Sequence, residues 1–150
     1  MPIGNILKSE KKELVTSSLH LIHITELNNN LILELSKVNN YVNAEGSKLI
    51  HKIISNYKSS ASENVWKDFE VRFNNVYEQF YKRLIQKFPD LTSGERKLCA
   101  LLRLNISTKD IAAITFQNPQ SIDVARYRLR KKLNLGTEEN LIDFLTDIDH

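Results

Sequence analysis

QSIDVARYRLRKKLNL, residues 120–135, decides how the rest of the chain is read. At about 100° per residue on a helix, Ile122, Ala125, Leu129 and Leu133 share one face. Gln120, Asp123, Val124, Tyr127, Arg130 and Lys131 take the opposite face, and Arg126, Arg128 and Lys132 fall on the flanks. The cations therefore crowd the C-terminal half, while short polar and apolar side chains occupy the N-terminal half. A helix that enters the DNA major groove has this arrangement, because its N-terminal residues reach base edges and its flanking cations meet phosphates. A solvated amphipathic helix carries the same pattern, so the segment in front of it has to decide.

That segment predicts two further short helices, Leu91–Leu104 and Thr108–Ile114, joined to the basic one by tight turns. Thr92 and Glu95, and again Ser107 and Asp110, set a hydroxyl three residues before a carboxylate. This is capping-box spacing, and each pair marks a helix start. Asn118-Pro119 supplies an N-cap followed by proline at the first helical position. Short helix, turn, basic helix is the helix-turn-helix order.

On these residues, LTSGERKLCALLRLNISTKDIAAI followed by NPQSIDVARYRLRKKLNL, the chain resembles the LuxR-type (GerE-like) helix-turn-helix. It is most similar to the version at the C-terminus of Bacteroidetes sensor-regulators with propeller or repeat sensor parts. The resemblance covers Phe80–Ile148 and implies an all-α, DNA-binding transcription regulator. It also implies a chain that is the output module of a larger sensor. Ser107, Thr108 and Lys109 would touch a phosphate at the start of the scaffold helix. Ser121 would meet another phosphate, and Ile122 the core. Gln120, Asp123, Val124 and Tyr127 would face the bases, with Arg126, Arg128, Arg130, Lys131 and Lys132 around them. The common pattern has Lys at the positions of Asp123 and Tyr127, so a different operator is expected. Aspartate can accept from cytosine N4, and valine can meet a thymine methyl. Thr115-Phe116-Gln117 stands where the family usually has Leu-Asn-Ile. Phe116 either fills the pocket between the two helices or marks a looser turn. Thr137–Asp147 resembles the family's fourth helix, with Leu141, Ile142, Phe144, Leu145 and Ile148 apolar.

Composition agrees with an all-α chain. Four glycines and three prolines in 150 residues leave little turn chemistry for a β fold. The net charge of +3 is modest, so the placement of the cations on one helix says more than their number. Cys99 is the single cysteine and, within KLCALLRL, reads as a buried hydrophobe. No apolar run approaches membrane-spanning length and no signal-peptide pattern opens the chain. A soluble, cytoplasmic protein without membrane contact is expected.

The N-terminal half, residues 6–76, is expected to form helices for dimerisation, ahead of a DNA-binding domain over 77–150. Met1–Asn5 reads as a frayed start. From Leu7 to Val42, Leu7, Leu14, Leu21, Asn28, Leu35 and Val42 recur every seven residues, with Ser17, Ile24, Leu31 and Val38 as companions. That is a coiled-coil seam, widened by Leu19, Ile22, Leu27, Ile32 and Leu33 towards bundle packing, and it predicts a homodimer through this helix. Asn28–Asn30 either fixes register or breaks the helix; an unbroken helix is expected. Gly46 marks a turn, Lys48–Tyr57 a helix and Ser59–Ser62 a polar connector. Asn64–Asn74 is a helix with an aromatic stripe of Trp66, Phe69 and Phe73. Val76–Lys87 continues helical until Pro89 stops it.

Enzyme chemistry has no foothold. There is no Gly-rich phosphate loop, no HExxH and no nucleophile elbow. His20 and His23 lie three apart without a matching carboxylate or cysteine, and read as surface histidines. No cofactor or metal is expected. Two functions compete: a DNA-binding regulator, with double-stranded DNA and RNA polymerase as partners, and a coiled-coil protein–protein adaptor whose helix-turn-helix does not bind DNA. A sigma-like factor would need a promoter-melting region, against which the long seam helix argues.

Overall fold

The computed structural model describes residues 3–149, with the side chains of residues 3, 5 and 58–62 left outside the description. Among the described residues the chain is all helical, in the order α1 (Ile3–Val38), a short 3-10 turn (Asn39–Tyr41), α2 (Ala44–Val76), α3 (Phe80–Lys87), α4 (Ser93–Arg103), α5 (Thr108–Ile114), α6 (Pro119–Lys132) and α7 (Leu141–Asp147). α1 and α2 form a long hairpin, and α5 packs on both α1 and α6 while α7 packs on α4. One buried cluster joins Leu14 and Leu21 of α1 with Phe69 and Phe73 of α2 and with residues of every later helix through Ile148.

α1 runs unbroken through Asn28–Asn30 as expected, but it starts at Ile3 and stops at Val38, short of Val42. Ile3–Asn5 is thus helical, not frayed; Met1 and Pro2 lie outside the described residues. The turn lies at Val42-Asn43, where Asn43 caps α2 by accepting the Gly46 N–H at 2.9 Å. Gly46 sits inside the first turn of α2, and its role is space. A Cβ there would stand 2.8 Å from the Val42 Cβ, closer than two carbons approach.

α2 then passes straight through Ser59–Ser62, so the expected connector is part of a helix. Nothing in that tetrapeptide forbids helix, and serine costs only tenths of a kcal/mol per residue. The real interruption comes at Tyr77–Gln79, within a stretch expected to be continuous. Its cause is aromatic packing. The Phe73 ring lies 5.4 Å from that of Phe80 and 5.5 Å from that of Tyr81. In an unbroken helix Phe80 would stand about 10.5 Å further along the axis, at roughly 1.5 Å per residue. The break lets Phe80 and Tyr81 fold back on Phe73. Pro89 closes α3 at Phe88 as expected, because the residue before proline avoids the helical region.

The middle of the heptad seam is spent within the chain. Leu14, Ser17, Leu21 and Asn28 are buried, with Thr25 beside them, while Leu7, Leu31, Val38 and Val42 are exposed. Ser17 donates to Asp68 at 3.2 Å across the hairpin, and Thr25 donates to the Leu21 and Ile22 carbonyls one turn back. Asn28 is 3% exposed and its amide nitrogen has no hydrogen-bond partner among the described residues. An unpartnered buried donor costs about 1–3 kcal/mol. Asn28→Val is therefore expected to raise stability by about 1 kcal/mol in urea unfolding. A loss of stability would show that the amide is satisfied.

Candidate nucleic-acid interface

Local sequence holds the three-helix frame through its caps. Thr92 and Glu95 form the full capping box, with Thr92 Oγ1 accepting from the Glu95 N–H at 3.1 Å and Glu95 Oε1 from the Thr92 N–H at 2.9 Å. Ser107 accepts from the Asp110 N–H at 3.1 Å, and Asn118 from the Ser121 N–H at 2.8 Å ahead of Pro119. Each cap stands where the sequence places it. α7 is shorter than the expected Thr137–Asp147, because Asn140 is its cap.

The helix ends share one closure. After α4, α5 and α6, residues Asn105, Phe116 and Asn134 adopt left-handed backbone with φ of 58°, 55° and 57°. In each case the paired bonds of a Schellman motif follow: Asn105 to Leu102 and Ile106 to Leu101, Phe116 to Ala113 and Gln117 to Ala112, Asn134 to Lys131 and Leu135 to Arg130. Asparagine tolerates this backbone; phenylalanine does so only under strain. The turn between α5 and α6 is thus tight, not loose, and its strained residue is Phe116. The side chain is half-buried. It lines an open groove of about 620 Å³ together with Trp66, Thr115, Gln117, Ile122 and Ala125, instead of filling a closed pocket between the helices.

α6 buries Ile122, Leu129 and Leu133, with Ala125 half-buried beside them. Gln120, Asp123, Val124, Tyr127 and Lys131 lie together on the exposed side, with Val124 49% and Tyr127 60% exposed. Lys131 stands 4.6 Å over the Tyr127 ring, so the charge and the aromatic surface form one patch. Ser121 and Arg126 are half-buried at the margins, and Arg128 is exposed beside Gln120 and Val124. Two cations have other duties. Arg130 is half-buried and donates to the Gly136 carbonyl, tying down the chain after α6. Lys132 reaches α4 and pairs with Glu95 Oε1 at 2.7 Å. Partial burial would raise the Glu95 carboxyl, but the bonds from Lys132 and Thr92 outweigh it and hold the group below the usual glutamate value. Periodicity alone could not find these ties, since both depend on where other elements lie.

On α5, Ser107 and Lys109 are exposed and Thr108 is half-buried. Asp110, Ser107 and Lys11 of α1 line a common groove with Val15 and Leu19. Cys99 is buried, and burial pushes its thiol up to about 12, far from a nucleophile's range. Among the described residues no group of three or more His, Cys, Asp or Glu could hold a metal, and no helix is long and apolar enough to cross a membrane. No protein-family model matches the chain, and the comparisons with curated proteins and with solved structures find no match.

The strain at Phe116 sets a stability test. Phe116→Asn and Phe116→Ala remove the same ring, and the asparagine variant is expected to be the more stable of the two by about 1 kcal/mol, because asparagine tolerates the left-handed backbone. Phe116→Ala, which removes only half-buried surface, is expected to cost less than about 2 kcal/mol by urea unfolding. A cost of about 3–5 kcal/mol on truncation would mean that the ring fills a closed core site.

Proposed function

We propose that this chain is a dimeric, sequence-specific DNA-binding transcription regulator of the LuxR type, which reads the major groove with α6. The observation that carries the reading is the uncovered face of α6. Gln120, Asp123, Val124, Tyr127 and Lys131 project from a helix whose inner side is locked into the core and whose end is tied by Lys132 and Arg130. Rigid support is what base reading demands, because a hydrogen bond to a base edge discriminates only if its geometry is held. In this reading Val124 meets a thymine methyl, Asp123 accepts from a cytosine amine, and Arg128, Arg126 and Lys109 meet phosphates. The chain acts in the cytoplasm as the output module of a larger sensor, with RNA polymerase as a further partner.

The hairpin's far arm supplies the dimer surface. Leu27, Leu31, Val38, Leu49 and Ile53 are all exposed there, and Ile50 is the one buried apolar residue of α2 before Phe69 among the described residues. Apolar side chains at this density call for a cover, and two such arms make a four-helix bundle with the two-fold symmetry that an inverted-repeat operator requires. The dimer surface thus covers only part of the Leu7–Val42 seam: the exposed Leu31 and Val38 join Leu27, Leu49 and Ile53 outside it. Leu31→Lys with Ile53→Lys is expected to yield a monomer in sedimentation; an unchanged mass would place the interface elsewhere.

A protein–protein adaptor is the second reading, favoured by Arg130 and Lys132 being engaged within the chain and by the apolar surface of Val124 and Tyr127. Titration of selected and scrambled duplexes at several salt concentrations separates the two. Arg128→Ala is expected to lower the log–log salt slope by about one unit on all sequences. Tyr127→Ala and Val124→Ala are expected to leave nonspecific affinity intact and to reduce discrimination by roughly 1–3 kcal/mol at one or two base pairs. Arg130→Ala and Lys132→Ala should lower the melting temperature more than they change the slope. Equal binding to selected and scrambled DNA by the unmodified protein would favour the adaptor.

A further inference from the structure

We infer that the start of α1 is a third basic arm of the DNA interface, in which Lys8, Lys11 and Lys12 meet the phosphate backbone. The inference rests on the reading of α6 as the DNA-contacting helix. Lys8, Lys11 and Lys12 stand at i, i+3 and i+4 and so share one side of the helix. All three are exposed, and none has an ion-pair partner among the described residues. Of the acids near them, Glu13 and Asp68 are held by Arg72 at 3.0 and 3.6 Å, Glu10 is half-buried, and Asp110 lines a groove with Lys11 without an ion pair to it.

Position gives the patch its partner. α1 packs along α5, which packs on α6. Lys11 lines the groove that also includes Ser107 and Asp110, where α5 begins. Lys11 at the start of α1 therefore stands beside the start of α5, the helix that carries the exposed Lys109. Three hydrated lysines at i, i+3 and i+4 repel one another weakly in the free protein. On DNA each phosphate they neutralise releases condensed counterion, which makes the contact favourable and indifferent to sequence. A heptad reading of residues 7–42 absorbs these lysines as solvated positions of a coiled coil; only the packing of α1 on α5 gives them a place beside the reading helix.

The test uses the full chain and duplex DNA. The triple variant Lys8→Ala, Lys11→Ala, Lys12→Ala is expected to lower the salt slope by roughly two to three units, since each phosphate that is no longer neutralised removes about 0.9. The decrease should be equal on selected and scrambled duplexes. Lys48→Ala with Lys52→Ala, at the far end of the hairpin, should titrate like the unmodified protein. Far-UV circular dichroism checks that the variants are folded, and the single reversal Lys11→Glu should lower the slope as well. If the triple variant matches the unmodified protein while Arg128→Ala still lowers the slope, the third arm is overturned and the reading of α6 stands. If neither set changes the slope, that reading fails and the inference falls with it. If the triple variant keeps its DNA slope but no longer binds vesicles rich in anionic lipid, the patch serves a membrane surface and the inference is overturned.

Discussion

The structure depends on the aromatic joint around Phe73. That ring is fully buried, with Phe69, Tyr77, Phe80 and Tyr81 at 6.0, 5.2, 5.4 and 5.5 Å. The rings meet tilted or edge to face, the arrangement their quadrupoles favour, worth about 0.5–1.5 kcal/mol per pair beyond the area buried. The joint also recruits charge. Arg103 lies 4.2 Å over the Tyr77 ring and pairs with Asp149 at 3.4 Å, so the end of α4 and the end of the chain are tied to the same corner. Trp66 extends it towards α4, with its indole N–H on Glu70 at 3.1 Å and Lys97 at 4.3 Å over its face. Without this joint α2 would continue straight, and the hairpin's relation to α6 would rest on α5, which packs on α1 and on α6.

From that fixed relation follows the division of labour among the cations of α6. Because α4 lies where it does, its capping residue Glu95 comes within reach of Lys132. Because α6 ends in a left-handed Asn134, the chain returns so that the Gly136 carbonyl meets Arg130. Two of the five cations, Arg130 and Lys132, tie α6 to the rest of the chain, and Arg126, Arg128 and Lys131 have no ion pair among the described residues.

Much of this was legible in the sequence wherever a local rule governs. The caps Thr92, Ser107 and Asn118 act within three residues, so their spacing alone locates the starts of α4, α5 and α6. The buried face of α6 follows from helical periodicity, and so does the exposure of Val124 and Tyr127. What escaped depends on distant residues. The break at Tyr77–Gln79 contains neither proline nor glycine and is imposed by Phe73. Gly46 looks like a turn residue until Val42 is seen folded over it. The α1 seam looks like a partner's binding stripe, yet its middle is covered by α2 and α5, and the apolar surface left open lies further along the hairpin. The ties of Arg130 to the Gly136 carbonyl and of Lys132 to Glu95 are absent from a helical wheel, because a wheel shows no neighbours.

The measurement that bears most directly on the central claim is selection of duplexes bound by the unmodified protein from a randomised pool, followed by sequencing. A dimeric reader that projects Asp123, Val124 and Tyr127 into the major groove predicts enrichment of an inverted repeat, with half-sites about one helical turn apart or a multiple of it. A pool that remains random after repeated rounds, although the protein is folded, would contradict the account and leave α6 as a docking face for another protein.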